Sequence, residues 1–273
     1  MTEINKKLSD IKEHWNEWAN QYGESLRATT KSSNIKKLEI KAIVDSLNQL
    51  FEDEIDILEV GCGNGFNAIS IAESSNHNVD AFDYIPEMIE SANSNKSKLE
   101  FDVSERLNFY VGDVLNLDKR KKYDLVYSCR CLINLPDFDL QKKAIISILD
   151  IIKPNGLFFM IENFSDNHQS QNNLRSSVGL VEREVAGFNN FFESKSLFEF
   201  LSDNGCKVEK TINFASLHDI AQYILVPMLN DGELNYEDDV VVAITNLLLS
   251  LDLDSMNKFG EFGQNKLLII RKL

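Results

Sequence analysis

The chain has 273 residues, 43% hydrophobic and 26% charged, a globular balance long enough for one large domain or one domain with a cover. Its formal charge of −15 repels phosphate backbones and argues against nucleic acid as a partner. No apolar run approaches the roughly 18 residues of a membrane span, and residues 1–15 lack a signal-peptide core, which predicts a cytoplasmic protein.

In chain order, residues 4–20 space Ile4, Leu8, Ile11, Trp15 and Trp18 as an amphipathic helix. A polar stretch follows, then a second helix over 35–51, with Ser33 or Asn34 as its expected cap. A first strand over 56–60 runs into Gly61, Gly63 and Gly65, and a helix starts at Phe66. Strand, glycine turn, helix is the opening of a nucleotide-binding α/β unit. Further strands are expected from Val79, Leu107, Tyr123 and Leu157, with helices from Pro86 to about Ser97 and from Gln141 to Ile152. This alternation predicts a mostly parallel sheet with helices on both faces. The second half is less regular. It reads as a loop after the fifth strand, a helix from Ser194, a strand from Cys206, a helix over 216–229, another over 240–252 and a last strand from Asn265.

Ligands of such sheets sit beyond the carboxyl ends of the strands, so the residues there are the candidates. They are Gly61, Cys62, Gly63 and Gly65, then Asp83, then Asp113 and Val114, then Cys129, Arg130, Cys131 and Asn134, and finally Glu162 and Asn163. Asp83 is placed to accept the hydroxyls of a ribose. Glu59 ahead of the glycines would oppose a pyrophosphate, and the spacing is G-x-G-x-G where dinucleotide folds prefer G-x-G-x-x-G. Both features suit a cofactor with a cationic end. The four cysteines, Cys62, Cys129, Cys131 and Cys206, read as reduced. Cys129 and Cys131 are too close for an ordinary disulfide, and the set is too sparse for zinc, so no metal is expected.

The segments "LEVGCGNG", "VDAFDYIPEMIE", "YVGDVLNL", "YDLVYSCRCLINL" and "IIKPNGLFFMIEN" occur in the order and spacing that resemble the class I S-adenosylmethionine-dependent methyltransferases. A looser resemblance links the chain to small-molecule methyltransferases of bacterial polysaccharide and secondary-metabolite clusters. The resemblance implies an α/β, Rossmann-like, seven-stranded, mostly parallel sheet with an antiparallel last strand, helices on both faces and a helical N-terminal lid. It divides a single domain, 1–273, into a cap (1–50), a cofactor-binding core (55–163) and a C-terminal half (164–273) carrying substrate-side elaboration.

Carried onto this sequence, the resemblance places Gly61, Cys62, Gly63 and Gly65 against the methionine arm of S-adenosyl-L-methionine. Glu59 either holds its ammonium or orders the loop. Asp83 takes the ribose, Tyr84 or Ile85 covers the adenine, and Asp113 and Val114 read its edge. Cys129 would lie beside the methionine tail, and Arg130 near the cavity. Tyr22 and Arg27 stand where such enzymes meet the cofactor, Arg27 either clamping the carboxylate or forming a structural ion pair.

The expected acceptor is a small polar metabolite, with a hydroxyl of a sugar, activated sugar or phosphate-linked compound ahead of the nitrogen of an amino sugar or small amine. A non-catalytic S-adenosylmethionine-binding partner is the alternative from another class. Candidate bases are His168 and His218, with Glu162 better placed by topology. His14 and His77 read as remote from the site. Monomer and homodimer both remain open.

Overall fold

The computed structural model describes residues 3–273. Helix α1 (Glu3–Tyr22) is followed by a short 3-10 turn (Leu26–Thr29) and α2 (Ser33–Leu50). Then come β1 (Asp56–Val60), α3 (Phe66–Ser74), β2 (Asn78–Asp83), α4 (Pro86–Lys96), α5 (Phe101–Ser104), β3 (Leu107–Val111) and β4 (Tyr123–Cys129). They are followed by α6 (Phe138–Ile151), β5 (Ile152–Asn163), α7 (Ser165–Ser177), α8 (Ser194–Asp203) and β6 (Cys206–Ile212). The chain closes with α9 (Ser216–Ile220), a π-turn (Ala221–Leu225), α10 (Val226–Leu229), α11 (Asp239–Leu249), α12 (Leu253–Asn257) and β7 (Asn265–Lys272).

The strands form one seven-stranded sheet in the order β3-β2-β1-β4-β5-β7-β6. All pairs from β3 to β5 are parallel, and β7 is antiparallel to both β5 and β6. The strand order reverses between β1 and β4, the place where such sheets open a crevice. Side chains alternate across the sheet with period two. Ile57, Leu125, Tyr127, Phe159 and Ile269 enter one core, while Leu58, Val126, Phe158, Met160 and Ile270 enter the other. No helix among the described residues is long and apolar enough to cross a membrane.

The structure departs from the expected elements at four places. The cap of α2 is Ser32, whose hydroxyl accepts from the Ile35 N–H, and not Ser33 or Asn34. Strand β5 starts at Ile152 rather than Leu157: Tyr123 pairs with Ile152 and Leu125 with Leu157, so residues 153–156 bulge opposite Asp124 alone. The polar segment after β5 is the helix α7 and not a loop. Its buried face carries amides and a histidine, Asn167, His168, Gln171 and Asn172, so no apolar periodicity betrays it. The helix expected over 216–229 is interrupted by the π-turn. Pro227 has no N–H for the Tyr223 carbonyl one turn back, and the Arg175 guanidinium takes that carbonyl instead.

Candidate functional site

The crevice beyond β1 and β4 is built by loops whose backbone is fixed before any side chain acts. Gly61 and Cys62 both donate their N–H to the Phe82 carbonyl at 2.9 Å, which folds the first loop over β2. Gly61, Gly63 and Gly65 all have left-handed φ, +72°, +53° and +84°. A Cβ on Gly61 would collide with the Cys131 thiol, and one on Gly63 with the Thr29 methyl. Gly65 caps α3 and lets that helix lie on the Phe109 ring.

Two buried acids fasten the crevice from opposite faces of the sheet. Glu59 Oε1 accepts from Asn67 Nδ2 of α3 at 2.8 Å, and burial pushes its carboxyl up to about 7, against the pull of the buried Lys36. Glu162 accepts from the Ser128 hydroxyl at 3.0 Å and from the N–H groups of Cys131, Leu132 and Ile133 at 3.3, 3.0 and 3.3 Å. Burial lifts it too to about 7 despite those donors.

A cavity of about 190 Å³ lies over these loops. It gathers Gly61, Gly63, Asp83, Tyr84, Ile85, Asp113, Val114, Cys129 and Arg130 from the expected set. Asp83 Oδ2 accepts the Gly63 N–H at 2.8 Å and Oδ1 the Ile85 N–H at 2.9 Å. Each oxygen keeps a second lone pair, and burial raises the carboxyl above its ordinary range. Asp113 Oδ1 accepts from Leu115 N–H at 2.9 Å. Carboxylates at the ends of two neighbouring strands, flanked by apolar Ile85 and Val114, form a pair of acceptors that fits the hydroxyls and amino edge of a nucleoside.

Arg130 is held with φ +51°. Its Nε lies 2.6 Å from Oε1 of the fully buried Glu39 on α2, and Asn265 of β7 donates to the same carboxylate at 2.6 Å. Among the described residues no cluster of three or more His, Cys, Asp or Glu could hold a metal.

Five expected cofactor residues do not line this cavity. Glu59, Cys62 and Gly65 lie beneath the loop, and burial drives the Cys62 thiol well above its ordinary range. Tyr22 packs on Trp18 with a ring separation of 4.9 Å, beside Ala28, Ile85 and Met88. Arg27 is exposed on the 3-10 turn. The expectation that Tyr22 and Arg27 meet the cofactor is therefore corrected: that turn sends Thr29 into the cavity instead. The cover comes from α1, through Leu8, Ile11 and Trp15. Trp15 Nε1 donates to Asn134 Oδ1 at 3.3 Å, and Asn64 Nδ2 ties the glycine loop to the Gly23 and Ser25 carbonyls at 2.8 and 2.7 Å.

A second cavity, about 610 Å³, shares Trp15, Thr29, Arg130 and Asn134 with the first. Its other walls come from α7, the segment 183–191, Asp219, Tyr223, Tyr236 and the start of β7. His168 lines it. The ring is 7% exposed, its Nε2 has no hydrogen-bond partner, and its edge meets Phe191. Burial, aided by Arg183, lowers its pKa and keeps it neutral. His14, expected to be remote, lines the same cavity, stacked on Phe188 at 4.1 Å with Nε2 also unpartnered.

Neither of the other proposed bases reaches this space. Glu162 is consumed by its four donors. His218 is buried away from the wall, with Nδ1 3.0 Å from Asp219 Oδ1. His14 was missed because α1 docks across the chain, a placement its own periodicity cannot show. Glu39 carried no local signal either, whereas Cys131, expected just after the fourth strand, does line the first cavity.

A family profile described as a methyltransferase domain matches residues 51–209. The chain is 29% identical over 166 residues to a malonyl-[acyl-carrier protein] O-methyltransferase of Ilyobacter polytropus, a match covering 59% of this chain and 60% of that protein's length. It is 25% identical over 219 residues to a ubiquinone biosynthesis O-methyltransferase of Rickettsia typhi, covering 77% and 83% of the two chains. The fold is similar to that of a magnesium protoporphyrin IX methyltransferase from Synechocystis, at TM-score 0.57 and 14% identity, over 87% of this chain and 84% of that one.

Proposed function

The chain belongs to the methyltransferase-domain family, and from that premise we propose that its acceptor is a hydroxyl on a small polar ring, with a sugar or activated sugar as the first candidate. That the chain is an S-adenosylmethionine-dependent methyltransferase acting on a small molecule follows from the family and its relatives. The cofactor supplies an electrophilic methyl group on a sulfonium. Asp83 and Asp113 would hold its ribose and adenine, and α1 would close the space over it to exclude water.

The observation that carries the acceptor reading is His168: a neutral, buried imidazole with an unpartnered Nε2, lining a cavity that shares Trp15, Thr29, Arg130 and Asn134 with the cofactor cavity. A neutral imidazole can take the proton of a hydroxyl as the oxygen forms its new bond to the methyl carbon. The walls suit a polar ring. Trp18, Phe188 and Tyr223 offer flat faces, while Asn163, Asn189 and Gln264 offer amides. The two kinds of relatives are both named for oxygen acceptors, which supports oxygen over nitrogen. Their names also bring malonyl thioesters and quinone precursors into the panel to be tried.

The test is methyl transfer from labelled S-adenosylmethionine to sugars, nucleotide sugars, phenols, amines and malonyl thioesters, run with wild type and His168→Ala. With the preferred acceptor, His168→Ala should lose about a hundredfold or more in kcat while binding the cofactor normally by calorimetry. An unimpaired variant removes His168 as base, and transfer only to amines removes the hydroxyl reading.

A further inference from the structure

We propose that Arg183 anchors an anionic group, carboxylate or phosphate, on the acceptor; this rests on reading the 610 Å³ cavity as the acceptor site. Arg183 lines that cavity, and its backbone is clamped by one amide: Asn172 Oδ1 accepts its N–H and Asn172 Nδ2 donates to its carbonyl, both at 2.9 Å. The guanidinium carbon lies over the Tyr223 ring, 3.4 Å from its centroid. Nη1 donates to Gln171 Oε1 at 2.8 Å and Nη2 to Gln264 Oε1 at 3.2 Å.

Every one of these partners is neutral. They fix the fork in place and leave its charge uncompensated, with three of its five donors unspent. In a chain carrying 43 acidic residues against 28 basic ones, a cation held this way without an ion pair among the described residues is conspicuous. The acid that shares the cavity wall is not available to it. Asp219 accepts from Gln171 Nε2 and the Gln264 N–H at 2.8 and 2.9 Å, and its other oxygen faces His218. Glu184 is exposed at the rim. The neighbouring Arg175 spends its guanidinium on the Val181 and Tyr223 carbonyls, which adds a second cation and no anion.

An immobilised guanidinium with free donors is the geometry that selects planar or tetrahedral oxyanions by paired hydrogen bonds. It lies in one cavity with His168, so an acceptor gripped at its anionic end presents another part of its ring to the imidazole. Arg183 is thus a specificity-determining residue that acts on binding and orientation, not on proton transfer.

The experiment uses the full chain loaded with S-adenosylhomocysteine, whose binding is checked first by calorimetry, so that a failure of the cofactor reading is seen separately. Benzoate, phenyl phosphate and the neutral isostere benzamide are then titrated while the Arg183 Nε–Hε resonance is followed, its assignment made with Arg183→Lys. The inference predicts that at least one of the two anions binds at least about tenfold more tightly than benzamide and shifts that resonance. The stronger of the two distinguishes a carboxylate from a phosphate acceptor. Arg183→Gln should abolish the preference, and Arg183→Lys should keep part of it if the glutamine variant does not fold. Equal binding of benzoate, phenyl phosphate and benzamide, or no anion-dependent shift of Arg183, overturns the inference.

Discussion

The two cavities share a wall but are assembled on different principles. The base of the glycine loop is held by partners close in sequence: Asn67 bonds Glu59 across 8 positions, and Gly63 bonds Asp83 across 20. The 610 Å³ cavity proposed for the acceptor is held by amides that reach across the chain, Gln171 to Asp219 over 48 positions and to the Phe262 carbonyl over 91, and Arg183 to Gln264 over 81. The first region takes its rigidity from donors gathered on carboxylates, backbone N–H groups on Asp83 and Glu162 and the Asn67 amide on Glu59. The second takes it from side-chain amides, each able to donate and accept. A site made the first way fixes one ligand shape, while a site made the second way can be rewritten by exchanging a few side chains without disturbing the sheet.

The largest expected effect tests whether buried acids hold the cofactor side together. Glu162→Ala strands three backbone N–H groups and a hydroxyl, and should cost about 4 kcal/mol of unfolding free energy in urea. A loss below about 1 kcal/mol would break the comparison, because the loop would then be held by something else.

The next effect is a pH dependence. The Glu59 carboxyl titrates near 7 in the fold and near its usual value in the unfolded chain. Below that usual value both states are protonated. As pH rises towards 7 the unfolded chain releases its proton first, so the fold loses stability through this group. Glu59→Gln stays neutral throughout, so wild type should fall relative to it by up to about 3 kcal/mol between pH 4 and pH 8. Parallel stability profiles for the two proteins would show that Glu59 is not shifted.

Asp83→Ala sharpens the comparison by joining ligand to scaffold. Cofactor affinity should fall at least about tenfold. Because Gly63 and Ile85 each lose an acceptor, the free protein should also lose about 1–2 kcal/mol. Calorimetry and thermal unfolding read the two losses separately, and an intact affinity would remove Asp83 from the ribose. The smallest effect is a control: Arg27→Ala should leave cofactor affinity and stability within about 0.5 kcal/mol of wild type. A tenfold weaker affinity would restore Arg27 to the site.

The same contrast explains what could be read from the sequence. Gly61, Asp83 and Asp113 announce themselves because each acts at the end of its own strand, where topology alone dictates position. The bounds of β1 and β4 were legible for a related reason: buried parallel strands are continuous apolar runs. Helix α7 was not, since its inward face is amide-rich and its partners lie up to 99 positions away. His14 shows the same limit from the other side. Its helix was plain in the periodicity of residues 4–20, but the surface on which that helix settles is composed of residues from four distant segments. Arg27 was misplaced because its neighbour Thr29, two positions on, is the residue that the 3-10 turn aims inward.

The Glu39 carboxylate has a bearing on how the protein comes into being. It binds Arg130 and also Asn265, a residue 226 positions further along the chain. β7, which carries Asn265, sits between β5 and β6 rather than at an edge. A nascent chain on the ribosome can therefore pair β1 to β5 early. It cannot seat β6, or give Glu39 its hydrogen bond from Asn265, until residue 265 and its strand have emerged. Loop closure over such a span is slow and entropically costly. The glycine loop is therefore made long before the Glu39–Arg130 pair beside it receives its last hydrogen bond.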